Sequence, residues 1–85
     1  MKKLKGRIKR LKEWKIYELK LSLFITDFTN DLCDYFKNKN DINESMEINQ
    51  NEVKEMLYIL HNDGYIEIKD NVIYIDDNRE RFKVL

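Results

Sequence analysis

The stretch INESMEINQNEVKEMLYILHNDGYIEIKDNVIYI, running from Ile42 to Ile75, decides the fold. Within it Val53, Met56, Leu57 and Leu60 fall at i, i+3, i+4 and i+7, the spacing of one apolar helix face. Asn49 stands just before that face and Glu52 follows three residues later, which is a capping-box pair at a helix start. The helix then runs into His61-Asn62-Asp63-Gly64, with glycine where a left-handed residue closes the last turn. Tyr65-Ile66-Glu67-Ile68 and Val72-Ile73-Tyr74-Ile75 alternate with period two around the turn-forming triplet Lys69-Asp70-Asn71, so they predict a β-hairpin. Upstream, Ile42, Met46 and Ile48 supply the apolar positions of a short helix and a turn.

Working outward, Asn38 to Asn43 is polar and rich in Asn and Asp, the composition of a loop. Before it, Tyr17, Leu21, Phe24, Phe28, Leu32, Tyr35 and Phe36 form a second helical stripe. Two readings stand: one helix over roughly residues 13–38, or two helices with a break near Thr26 to Thr29, where Thr and Asp favour a cap. Leu4, Ile8, Leu11, Leu19 and Leu23 make a third stripe running out of the N-terminal segment. The expected fold is therefore mainly α with a β-hairpin: three helices, then the hairpin, with Val53, Met56, Leu57, Leu60, Ile66 and Phe24 in one core. Residues 1–15 read as a basic arm or helix extension and residues 16–85 as the domain. A helix apolar on nearly all sides around Ile16 to Ile25 needs more cover than a small monomer offers. That predicts a homodimer with Trp14, Tyr17 and Leu21 near the contact. Phe82, Val84 and Leu85 in the tail either pack back or meet a partner.

Eighty-five residues make one domain with one hydrophobic core and little chain left for an enclosed active site. The apolar share of 42% is that of a globular chain. One cysteine, Cys33, excludes an intramolecular disulfide, and neither a secretory h-region nor a run long enough to span a bilayer is present. A cytoplasmic, membrane-free protein is expected. The net charge of zero conceals a polarity: residues 1–20 hold nine Lys/Arg against two Glu, a net of +7, and residues 21–85 hold a net of −7.

The order short helix, turn, capped helix, glycine and hairpin resembles the winged helix-turn-helix superfamily. In its pattern Ile42, Met46 and Ile48 take the apolar places, Asn49 the capping place, and Val53 and Leu57 the inward places of the recognition helix. Leu60-His61-Asn62-Asp63-Gly64-Tyr65-Ile66 is similar to the segment that leads such domains into their wing. Asn43 departs from the usual small residue and Glu47 from the usual turn glycine. The resemblance implies a double-stranded DNA partner, with the second helix of the motif in the major groove and the wing on the backbone or minor groove. It implies a small transcriptional regulator, or a replication or partition accessory of the phage or plasmid sort.

On that reading Gln50 and Asn51 face adenine edges, flanked by Lys54 and Tyr58, and Lys69 at the hairpin tip meets the backbone. The basic segment, Lys2, Lys3, Lys5, Arg7, Lys9, Arg10 and Lys12 with Lys15, supplies phosphate contacts. Glu52 and Glu55 are liabilities near phosphate, and they motivate the alternative: a protein-binding adaptor or inhibitor whose acidic face meets a basic partner. Catalysis is not expected. His61 sits at a helix C-terminus, where a charged imidazole suits the dipole, Cys33 reads as a small core hydrophobe, and Asp76-Asp77 as a solvated turn. No cofactor is expected, and one His with one Cys falls short of a zinc set.

Overall fold

The computed structural model describes residues 2–14 and 18–75, with side chains from Gly6 onward. Lys15, Tyr17, Asp76, Asp77 and the tail residues Phe82, Val84 and Leu85 lie outside the described residues. The elements in chain order are α1 (Lys2–Lys12), β1 (Glu18–Lys20), α2 (Leu21–Asn38), α3 (Ile42–Glu47), α4 (Gln50–Asn62), β2 (Glu67–Lys69) and β3 (Val72–Tyr74). The protein is thus mainly helical with one small antiparallel sheet, in the order β1-β3-β2. Among the described residues no helix is long and apolar enough to cross a membrane.

The capped helix forms as its residues dictate. Asn49 is extended (φ −141°, ψ 169°) and its side chain accepts the Glu52 N–H at 3.0 Å. At the other end the Tyr65 N–H donates to the Leu60 carbonyl and the Gly64 N–H to that of His61, with Gly64 at φ +84°. These are the two bonds of a Schellman close, and they need a left-handed residue at Gly64. The hairpin pairs Glu67 with Tyr74, Ile68 with Ile73 and Lys69 with Val72. Only Asp70 and Asn71 remain in the turn, both at positive φ (53° and 63°), so the connection is two residues long rather than three.

Between α1 and α2 neither expected arrangement occurs. The chain forms strand β1, and α2 starts at Leu21 and runs unbroken to Asn38. Thr26 and Thr29 do not cap a break; each hydroxyl donates back to the carbonyl four residues earlier, at 3.1 and 2.6 Å. Leu19, Leu21 and Leu23 alternate with Lys20 and Ser22, so the segment satisfies a period of two as well as a helical one. The third strand is what decides between them. Leu19 pairs with Ile73 and Ile73 with Ile68, which lines up three apolar residues across the sheet.

The core gathers Ile8, Leu11, Leu21, Phe24, Ile25, Phe28, Leu32, Ile48, Val53, Met56, Leu57, Leu60, Ile66, Ile73 and Ile75. All six residues expected in a shared core are in it. Leu21, Phe24 and Ile25 are buried within the single chain, and Leu19 is half-buried against the core. Of the stretch from Ile16 to Ile25 that predicted a dimer, Leu21, Phe24 and Ile25 are thus covered within the chain and Leu23 faces out, while Ile16 and Tyr17 lie outside the described residues. Trp14 likewise packs edge-on against Phe24 and Phe28, with ring centroids 5.2 and 5.1 Å away. Gly6 lets α1 close on α2: a Cβ there would lie 3.2 Å from the Phe36 ring.

Helix α3 is turned differently from the expected motif. Ile42 (59% exposed) and Met46 (79%) face outward, and Glu44 is the buried residue. Glu44 goes inward because Arg7 of α1 waits there, donating from Nε at 2.9 Å and from Nη2 at 2.7 Å. Between α3 and α4, Ile48 is extended and buried, and the turn uses no left-handed residue, so Glu47 needs no glycine in its place.

Candidate nucleic-acid interface

Helix α4 positions the residues proposed to read bases, Gln50 and Asn51, together with Lys54 and Tyr58. Its inward face holds Val53, Met56, Leu57 and Leu60, so Gln50, Asn51, Lys54, Glu55, Tyr58 and Asn62 stand on exposed positions. The cap and the Schellman close fix the two ends of the helix, and the burial of Val53, Met56, Leu57 and Leu60 fixes the direction in which the exposed face points. Glu52 leans back towards Arg7, with Arg7 Nη1 3.4 Å from its carboxylate. The capping box is therefore half made: Asn49 caps Glu52, and the Glu52 carboxylate is engaged elsewhere. One of the two acidic liabilities thus faces an internal cation.

Next to α4 lies an open cleft of about 370 Å³ lined by Lys20, Leu21, Ser22, Ile25, Lys54, Tyr58 and Asn71. Three stretches of the chain meet there. The junction of β1 with α2 gives Lys20, Ser22 and the apolar floor; α4 gives Lys54 and Tyr58 one turn apart; the hairpin turn gives Asn71. A bond of 2.8 Å from the Leu21 N–H to the Asn71 carbonyl straps the turn to the start of α2. Lys69 and Lys20 flank Val72 from β2 and β1, so a third cation stands at the same end of the sheet. Sequence reasoning names Lys54, Tyr58 and Lys69 but not Lys20, Ser22 and Asn71, which line the cleft with Lys54 and Tyr58. Only the pairing of β1 with β3 brings those residues together, and no local pattern reports it.

Two cations of the basic N-terminal segment, Arg7 and Arg10, are engaged within the protein. Arg7 is buried and bound to Glu44 and Glu52, so phosphate has no access to it. Arg10 donates to both oxygens of Asp31 (2.7 and 2.8 Å) and to Glu13 (2.6 Å), and lies over the Tyr35 ring at 4.9 Å. Both arginines serve to bolt α1 onto the domain. Lys9 is exposed and Lys12 half-buried. Lys2, Lys3 and Lys5 lie on the backbone of α1, and their side chains lie outside the described residues.

The Asp31 carboxyl is held below its ordinary value of 3.8, chiefly by the Arg10 hydrogen bonds; burial opposes this and the Trp14 indole N–H, at 3.2 Å, adds to it. Arg10 is correspondingly pushed up by Asp31. His61 stands in the last turn of α4. Its Nδ1 accepts the Ile68 N–H at 3.1 Å, which ties α4 to β2. The Cys33 thiol is half-buried, 4.0 Å from the Ile48 carbonyl. Among the described residues no group of three or more His, Cys, Asp or Glu is placed to hold a metal ion. No family model, curated protein or solved structure matches the chain, so its site stands on its own geometry.

Proposed function

We propose that the chain binds double-stranded DNA as a winged-helix domain, with α4 in the major groove and the β2–β3 hairpin as the wing. The observation that carries this reading is the exposed face of α4, with Gln50, Asn51, Lys54 and Tyr58 beside a carboxylate-free cleft at the hairpin turn. Gln50 and Asn51 offer the amide groups that pair with adenine, and Lys54, Lys20 and Lys69 supply charge for the backbone. Such a domain serves a regulator or a replication or partition accessory. Mobility shift against random and AT-rich duplexes at two salt concentrations tests it. Asn51→Ala is expected to reduce preference for a specific site by about 1–3 kcal/mol while sparing random DNA. Absence of any duplex binding at low salt would overturn the reading.

A second reading, a protein-binding adaptor, is favoured by a different observation: the outward Ile42 and Met46 on α3, together with Tyr58 (39% exposed) and Ile59 (43%) on α4. On this reading Met46→Glu abolishes partner capture and leaves duplex binding untouched. The DNA reading predicts the reverse dependence, on Asn51 and Lys54.

A further inference from the structure

We propose that the cleft between the start of α2, the middle of α4 and the hairpin turn is a phosphate-binding site, occupied by one backbone phosphodiester of bound nucleic acid. The proposal rests on the reading of α4 as the DNA-facing helix. Its volume, about 370 Å³, lies at the small end of the range for ligand sites. Every polar side chain that lines it, Lys20, Ser22, Lys54, Tyr58 and Asn71, can donate a hydrogen bond, and none carries negative charge.

The contrast with the rest of the chain makes this informative. Lysine and arginine equal aspartate and glutamate at 16 each, and Arg7 and Arg10 are each held by two carboxylates. Lys20 and Lys54 make no ion pair among the described residues, although they come from separate elements and converge on one cleft. Two ammonium groups facing one concavity repel each other unless an anion sits between them. The cleft also opens at the positive end of the 18-residue helix α2, whose N-cap Lys20 gives no side-chain bond to the first-turn amides. Because the strap from Leu21 to Asn71 holds the hairpin turn against the start of α2, the donors are arranged before any ligand arrives.

One phosphate shared by two lysines has a signature that separate contacts lack. The slope of log K against log salt falls by about 0.9 for each phosphate no longer neutralised. Lys20→Gln and Lys54→Gln are therefore expected to lower the slope by less than one each, and the double variant by about one in total. Duplex affinity at low salt should fall about tenfold in the double variant, while Lys37→Gln, at the far end of α2, changes neither quantity. Both replaced lysines are exposed, so glutamine leaves the fold intact, as circular dichroism will verify.

Amide chemical shifts of Ser22 and Asn71 are followed in parallel during titration with a duplex and with inorganic phosphate, against chloride at equal ionic strength. Shifts with the duplex that vanish in the double variant support the proposal. Unchanged duplex affinity and slope in the double variant overturn the cleft and leave the DNA reading standing. Shifts with inorganic phosphate but no duplex binding overturn the DNA reading and support the same oxyanion chemistry from a free source. No shift with either overturns both.

Discussion

Arg7 and Glu44 form the one ion pair among the described residues in which both side chains are nearly inaccessible, and Glu52 completes their group at its edge. Removing one member leaves the other charged and buried, a loss of about 3–5 kcal/mol. Glu44→Ala is therefore expected to destabilise the protein by about 3 kcal/mol in urea unfolding. The double variant Arg7→Met with Glu44→Leu should recover most of that loss, because no unpaired charge is then left inside. The half-exposed bolt at Asp31 behaves differently. Its carboxyl is lowered in the folded protein, so it contributes stability above its ordinary value of 3.8 and loses it as pH falls through the lower folded value. Asp31→Asn should remove that acid dependence at a cost near 1 kcal/mol at neutral pH, a solvent-screened figure of about that size. The measurement is a pair of denaturation midpoints at pH 7 and pH 3. Asn49, Gly64 and Val53 are legible as single residues because their roles depend on neighbours within four positions. The fate of Arg7 is not, since its partners lie 37 and 45 residues away.

Among the elements, α4 owes its start to one side-chain bond, and Asn49→Ala should cost about 1 kcal/mol against a few tenths for Asn49→Gly. Thermal unfolding of the two variants checks the order. The hairpin depends on Asp70 and Asn71 tolerating positive φ, so Asp70→Val, β-branched at such a position, should lose about 1–2 kcal/mol. Both elements are readable because period and turn chemistry are local. Helix α3 is readable only as an element. The apolar places of the motif suggest Ile42 and Met46 as inward residues, but the buried carboxylate of Glu44, neutralised by α1, sets the rotation of a helix only six residues long. Strand β1 reads as helix from the sequence because three residues satisfy either period, and its partner β3 is remote in the chain.

For the whole molecule, the basic N-terminal segment changes its meaning. Ile8 and Leu11 belong to the core and Arg7 neutralises Glu44, so removing residues 1–12 should do more than lower the charge. Cooperative unfolding is expected to weaken or vanish, with amide dispersion lost throughout the domain. A truncated chain that unfolds as sharply as the full one would contradict this placement of α1. The candidate site is only partly legible at this scale: one face of a helix can be read from its spacing, but a cleft built by three separated stretches of the chain cannot. The sheet order has one further consequence, a mechanical one. Glu18 faces Tyr74 and Lys20 faces Val72 in the antiparallel pair β1–β3. A force pulling the segments before Glu18 and after Tyr74 away from each other enters the sheet at one and the same end. Its hydrogen bonds lie across the strands, so they break in succession like the teeth of a zip instead of resisting together in shear. Strand β1 is therefore expected to open as a seam at lower tension than a sheared pair would, parting Glu18 from Tyr74 first and Lys20 from Val72 last.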